Sequence, residues 1–433
     1  MYHILLIGAG KSASYLIEYL KKISTDRKWN ILVADYQIEL VEEKVGKHEW
    51  VKSIQLSVFD NEKRRMLISQ SKVVISLLPP DMHYLVAEDC IEFRTHFLKA
   101  SYLDDKITLQ KNNIEDANIL MIAELGLDPG IDHMSAMNII DSIKAENGEI
   151  TSFKSHCGGL ISPESDDNPW HYKISWSPKN IVLAGKSGAV YLENNIQKTI
   201  PYTELFNQDK TVLVSDKNVW GYYPNRNSLD YLPLYKLKKC ETFIRTTLRD
   251  IHFLEGWKKI VELKLTDEEK LYETRELSYK DFFIMHCEKY EINESSFTDS
   301  FLHQIHYLGL NSEENINHGL CSAADVLQTA MEKNLSLKET DKDMIVMFHE
   351  IEYIKNNKKY KVESSLIVKG EDATLTAMAK TVGLPLGIAA KLILENKIQL
   401  RGLYLPTVKE IYLPVLDELE KEGIVFEEKI IEL

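Results

Sequence analysis

The chain has 433 residues, of which 44% are hydrophobic and 27% charged; at ~150 residues per domain this allows about three domains with buried cores, and it excludes a disordered chain. No apolar run is read as reaching the ~20 residues that cross a bilayer, so no membrane partner is expected. Lysine plus arginine number 52 against 66 aspartates and glutamates, a net charge of −14, which repels phosphate backbones and sets nucleic acid aside as a partner.

From Tyr2 to Ile7 a short β-favouring run is broken by Gly8-Ala9-Gly10, and Ser12 to Ile23 has helical spacing. ILVAD at Ile31–Asp35 predicts a second strand, QIELVEEKVG a helix, IQLSV at Ile54 a third strand, then a polar helix and the strand VVISLLPP at Val73–Pro80. HFLKASY and ILMIAELGLDPG continue the alternation, with a first domain ending near Glu124. Apolar strands alternating with amphipathic helices predict a doubly wound parallel sheet of Rossmann type. Beyond Gly130 come a helix over His133–Lys144, strand-like TSFKSHCGG and IVLAG, and aromatic, proline-punctuated loops from Pro163 to Pro178. Between Trp257 and Leu335 the pattern predicts helices. Asp343 to Val368 predicts a β-hairpin turning at Asn356–Lys359, followed by a helix from Thr374 to Val382, a Gly-Leu-Pro break, another helix and a closing strand.

Cys90, Cys157, Cys240, Cys287 and Cys321 lie far apart, with no C-x-x-C pair, so reduced thiols and no metal site are expected. Met1 leads straight into an apolar strand without the pattern of a signal or transit peptide, and a cytoplasmic location is expected.

Gly8-x-Gly10-x-x-Ala13 lies between a strand and a helix, the context in which the pattern binds a dinucleotide. Gly8 permits the tight turn, Gly10 lets the backbone approach a pyrophosphate, and Ala13 lets helix pack on strand, while the helix N-terminus with Lys11 and Ser12 meets the phosphates. Asp35, closing the second strand, would accept hydrogen bonds from the adenosine ribose and repel a 2′-phosphate, which predicts NAD rather than NADP. Asp at a strand end is also a common turn former. The Gly-Lys-Ser runs at Gly10 and Gly185 lack the leading glycine of a phosphate loop, since Leu5 and Asn180 stand there.

The runs AELGLDPGIDHM, HCGGLISPES with DNPWHYKISWSP, GYYPNRNS and DATLTAMAKTVGLPLGIAAKLIL closely resemble saccharopine dehydrogenases of the glutamate-forming type, across almost the whole chain. The resemblance implies oxidation of saccharopine with water to L-glutamate and 2-aminoadipate 6-semialdehyde in lysine degradation, with NAD as acceptor and a homodimer as the assembly. It implies a Rossmann domain over residues 1–124 completed by about 392–433, a mixed α/β substrate and dimerisation domain over 125–256 plus about 340–391, and a helical insertion domain over 257–339.

Saccharopine carries three carboxylates, so an acidic chain must gather cations locally. Arg226, Arg245 and Arg249 match the family's substrate contacts, and a planar guanidinium grips a carboxylate through two hydrogen bonds. Thr246 and Thr247 lie among them, and Thr246 departs from the family's usual glycine. The resemblance implies that Ser76, Leu77, Leu127, Asp128 and Ser175 line the cofactor and that Trp176 faces substrate. Ser101 and Tyr102 end the KASY strand at the carboxyl edge of the sheet, where ligands sit in open α/β folds; Ser101 would meet cofactor and substrate, Tyr102 substrate. Tyr102, Asp128 and Cys157 are expected around the reacting carbon as modulators of proton transfer, with hydride chemistry left to the cofactor. Before Cys157 the family's usual tyrosine is replaced by His156. Competing readings are a related secondary-amine dehydrogenase of carboxynorspermidine or opine type, the NADP-dependent saccharopine reductase, and an inactive NAD-binding scaffold or sensor.

Overall fold

A computed structural model describes residues 1–207, 210–215 and 218–433. The fold is α/β and forms two compact units: Met1–Glu149 with Tyr353–Lys358 and Thr374–Glu427, and Ile150–Glu352 with Lys359–Ala373 and Glu428–Leu433.

The first unit is built on strands β1 (Tyr2–Ile7), β2 (Ile31–Asp35), β3 (Val51–Gln55), β4 (Ser71–Ser76), β5 (His96–Lys99) and β6 (Leu120–Ile122). Their order is β3-β2-β1-β4-β5-β6, extended beyond β6 by the strand Gly402–Tyr404, with every pairing parallel. This is the doubly wound order, and it reverses between β1 and β4, where such sheets bind ligands. Strand residues alternate faces: Leu5, Ile7, Leu32, Ala34, Val74 and Phe97 join one core cluster, and Ile4, Leu6, Val33, Ile75 and Leu98 are buried on the other side.

The unit extends past the expected boundary at Glu124 because helix Ile131–Ala145 packs against helix Lys409–Lys421, where the Tyr412 hydroxyl donates to Asp141 Oδ2 at 2.6 Å. It also begins its C-terminal part at Thr374 rather than near 392, because helix Ala377–Leu394 lies along helix Ser14–Arg27. The expected Gly-Leu-Pro break does not occur. Pro385 sits inside a continuous helix, most of whose side chains are buried, and that packing outweighs the ~3 kcal/mol a mid-helix proline costs. This is the one helix among the described residues long and apolar enough to cross a membrane, against the sequence expectation of no such run, and 78% of it is buried in the structure as a core helix.

The second unit carries a mixed sheet ordered Thr211–Val214, Asn218–Pro224, Thr242–Arg249, Glu149–Ile161, Asp343–Lys355, Lys358–Lys369, Glu427–Glu432. Asp343–Lys355 and Lys358–Lys369 form the expected hairpin, with Asn356 and Asn357 both at positive φ in its two-residue turn. Helices Ile251–Glu262, Tyr279–Lys289, Asp299–Tyr307 and Ala323–Asn334 share one apolar cluster with Trp170, Tyr172, Ile181 and Tyr223. The helical stretch is therefore part of this unit's core, and it contains a small antiparallel sheet, Lys270–Glu273 with Leu320–Ser322. IVLAG is not a strand: Pro178 opens a short helix, Pro178–Val182, and Gly185 at φ 81° follows its end.

Candidate active site

In the first unit the site grows from the turn after β1. Gly8 holds φ 104°, and a Cβ there would fall 2.7 Å from the Leu77 carbonyl oxygen, so only glycine fits between β1 and the end of β4. A Cβ on Gly10 would meet nothing within 4 Å, leaving the open room over the loop that a pyrophosphate needs. Lys11–Ala13 form a single tight turn that runs into helix Ser14–Arg27, with Ala13 buried. These residues fit a nicotinamide dinucleotide.

Asp35 is aimed at this loop. Its Oδ2 accepts from the Ala9 amide at 2.8 Å and its Oδ1 from the Gln37 amide at 3.1 Å. A residue that the motif did not reveal, Lys44, donates through Nζ to the carbonyls of Ala9 at 2.8 Å and Gly10 at 2.6 Å. Burial pulls its ammonium group down to about 8, against the opposing pull of Glu43 and Asp35.

Along the carboxyl edge of the sheet, Ser76 ends β4, and Ser101 and Tyr102 lie just past β5, which stops at Lys99. His83 joins the two serines: Nδ1 lies 2.8 Å from Ser76 Oγ and Nε2 2.8 Å from Ser101 Oγ. Burial, aided by Lys99, drives its imidazole down to about 3, so the ring is neutral and bonds as donor at one nitrogen and acceptor at the other. The Tyr102 hydroxyl donates to Asp128 Oδ1 at 3.4 Å, bringing together two of the three residues expected at the chemistry. Behind them, Glu124 at φ 57° accepts from the Leu103 amide at 3.0 Å, and its other oxygen lies 3.0 Å from His133 Nε2. Leu127 is buried beside Asp128 in a turn closed by Gly130, where a Cβ would fall 2.1 Å from the Gly126 oxygen.

In the second unit the strand Thr242–Arg249 carries the expected cations. Side chains alternate, so Arg245, Thr247 and Arg249 share one face and Thr246 and Leu248 the other. The neighbouring parallel strand pairs Thr247 with Cys157 and Thr246 with His156, which places Cys157 on the arginine face. Arg245 is buried with its guanidinium 4.3 Å from the Tyr231 ring centroid. Arg249, 4% exposed, donates to the Leu248 carbonyl at 2.8 Å and lies over the rings of Tyr172 at 5.4 Å and Phe253 at 5.8 Å. No carboxylate among the described residues pairs with Arg249. Trp176 Nε1 donates to the Tyr172 hydroxyl at 3.2 Å, which ties it to the same cage, and Ser175 is buried next to it. Arg226, at φ 51°, is exposed on a short strand paired with Ala189–Val190 and follows Asn225, whose amide donates to the Arg245 carbonyl at 2.8 Å.

The two departures from the family pattern prove to be partners. His156 Nδ1 lies 2.7 Å from Thr246 Oγ1, directly across the strand pair, and His156 Nε2 lies 3.3 Å from Glu350. Burial pushes the Glu350 carboxyl up, but hydrogen bonds from His156 and Lys361 outweigh it and hold it at about 2. Burial also lowers the His156 ring. The Thr246 hydroxyl is thus committed to His156 on the face opposite the arginines, so a ligand held by Arg245 and Arg249 would meet Thr246 only through its backbone.

Two family models cover the chain: the saccharopine dehydrogenase NADP binding domain over residues 4–122 and the saccharopine dehydrogenase C-terminal domain over residues 126–424. The mouse mitochondrial alpha-aminoadipic semialdehyde synthase is 34% identical over 98% of this chain and 47% of its own length. The chain spans about half the length of the curated synthases it matches. Saccharopine dehydrogenase [NADP(+), L-glutamate-forming] of Saccharomyces cerevisiae is 30% identical over 99% of each chain. The solved apo saccharopine dehydrogenase (L-Glu forming) from the same yeast superposes with a TM-score of 0.89, at 29% identity, over 100% of both chains.

Proposed function

The chain belongs to the saccharopine dehydrogenase family, and on that premise we propose that it oxidises saccharopine with water to L-glutamate and 2-aminoadipate 6-semialdehyde, using NAD. It is an oxidoreductase with a pyridine-nucleotide site. The observation that carries the substrate reading is Arg249: a buried guanidinium with aromatic walls and, among the described residues, no carboxylate partner suits an anionic ligand, because an uncompensated buried cation is costly to keep. Arg245 and Arg226 supply further cations for a tricarboxylate. The cofactor supplies hydride acceptance at the secondary amine. Tyr102 and Asp128, already hydrogen-bonded, are the pair to take and return the proton when the imine is hydrated, and Cys157 stands on the arginine face as a further hydrogen-bonding group.

The choice of NAD rests on Asp35, whose carboxylate is held at the glycine loop by two amides and would repel a 2′-phosphate. A second reading, dependence on NADP, draws on the names of the relatives and on Lys44, a cation beside the same loop. Steady-state rates with saccharopine and each nucleotide, followed through the ultraviolet band of the reduced nicotinamide, separate the two. NAD is expected to give the larger kcat/KM, and a preference for NADP would overturn the NAD assignment. Replacing Arg249→Met should raise the saccharopine KM at least about tenfold, the loss of one charge-assisted contact, while leaving the KM for NAD unchanged. An unaltered saccharopine KM would remove Arg249 from the substrate site.

A further inference from the structure

A second group of side chains lies at the outer end of the Arg249 cage. His171, Asp250 and His252 each turn one donor atom, a ring nitrogen or a carboxylate oxygen, into a common space, with all three atoms within 4.8 Å of one another. They reach it from two segments: His171 from the loop after Trp170, at φ 47°, and Asp250 and His252 from the start of helix Ile251–Glu262. The two imidazoles approach to 5.1 Å between centroids at 35°. Asp166 Oδ2 lies 2.7 Å from His171 Nδ1, so Nδ1 donates to that carboxylate and Nε2 is the ring nitrogen left to face a ligand. An outer carboxylate fixing a ring in this way is the usual support of a metal-bound histidine. Asp250 caps the helix by accepting from the His252 amide at 2.8 Å, which orients its carboxylate and leaves the other oxygen available. None of the three is fully buried, so an ion can enter from solvent.

We propose that His171, Asp250 and His252 bind one first-row transition-metal ion of the zinc class, with water completing the coordination. Two imidazoles and one carboxylate form a borderline donor set that suits zinc, nickel or copper, whereas magnesium and calcium require oxygen ligands. The ion would join the loop bearing Tyr172 to the helix bearing Phe253, the two rings that cage Arg249 and that lie 4.9 Å apart. This site stands whether or not the chain oxidises saccharopine, and its test needs no turnover.

The full chain, stripped with a chelator and dialysed, would be titrated calorimetrically with zinc chloride and separately with magnesium chloride. One equivalent of zinc is expected to bind and to raise the melting temperature, while magnesium gives no saturable heat. His171→Ala and His252→Ala should each weaken zinc binding by about tenfold or more, as losing a ligand costs no less than losing an outer partner, and should abolish the thermal shift. Asp250→Asn keeps the helix cap and should weaken zinc as well, which separates ligation from helix disruption. Absence of zinc binding, binding unchanged in the three variants, or equal binding of magnesium would each overturn the proposal.

Discussion

Burial fixes the charge of a side chain before any ligand arrives, and His83 shows the consequence most directly. Its ring sits between two hydroxyls at 2.8 Å on either side and is 1% exposed. In the unfolded chain the imidazole titrates near 6.5, whereas burial holds the folded value at about 3. Below the unfolded value the unfolded state takes a proton that the folded state refuses. The contribution of His83 is therefore intact above about pH 6.5 and is lost as the pH falls toward 3, at about 1.4 kcal/mol per pH unit. His83→Gln keeps a donor and an acceptor but does not titrate. Urea unfolding measured between pH 6 and pH 4 should show an acid slope shallower by about that amount in the variant. Equal slopes would mean that the ring is protonated in the fold. His83 was not legible in the sequence, because a histidine between a proline-rich turn and a helix announces nothing until β4 and β5 bring Ser76 and Ser101 to its two nitrogens. Asp35 and Gly8 were legible, since their roles depend on the local order strand, turn, helix, strand.

Among the elements, the contact of helix Ser14–Arg27 with helix Ala377–Leu394 depends on two glycines one turn apart. A Cβ on Gly383 would meet Leu16 Cβ at 2.9 Å, Leu16 N at 3.1 Å and the Ser12 oxygen at 3.3 Å, whereas the nearest atoms to one on Gly387 are side chain, the Tyr19 ring at 2.7 Å and Leu16 Cδ1 at 2.8 Å. Replacing a helix-interior glycine by alanine gains about 1 kcal/mol in propensity, while overpacking against backbone costs about 1–3 kcal/mol. At Gly383 the backbone neighbour cannot turn aside, so Gly383→Ala should be net destabilising in urea unfolding. Gly387→Ala, which meets the buried Tyr19 ring and the Leu16 tip rather than backbone, should also destabilise, but by less than Gly383→Ala. A Gly383→Ala variant more stable than the parent would show that the helices have slack. The same helix explains where element reading fell short. Gly-Leu-Pro carries the local signals of a helix end, and only the tertiary contact overrides them. The pairing of Thr246 with His156 was equally hidden, for it depends on the register of two strands some ninety positions apart. The alternation of Arg245, Thr247 and Arg249 on one face needed no more than knowing that IRTTLR is a strand.

At the scale of the whole molecule, the chain passes between its two units five times, at residues 149–150, 352–353, 358–359, 373–374 and 427–428. The nucleotide-binding unit is therefore completed only after the second unit has been traversed. Residues 1–149 contain β1–β6 and the glycine loop, but they lack helix Ala377–Leu394 and the strand Gly402–Tyr404. Without them Leu16, Ile17 and Leu20, all wholly buried in the intact protein, lose their principal neighbour, and β6 becomes an open edge. Exposing several such side chains forfeits about 1.5–3 kcal/mol each, comparable in sum with the entire stability of a domain of that size. A fragment of residues 1–149 is accordingly expected to show no cooperative melting and no thermal shift with NAD or NADP. The same fragment joined through a flexible linker to residues 374–427 should regain both, since the linker restores the missing helix and seventh strand without the second unit. Circular dichroism melts without nucleotide, with NAD and with NADP provide the measurement. A folded, nucleotide-responsive 1–149 would show that the motif-bearing segment is self-sufficient and that the C-terminal segment is an accessory to the nucleotide site.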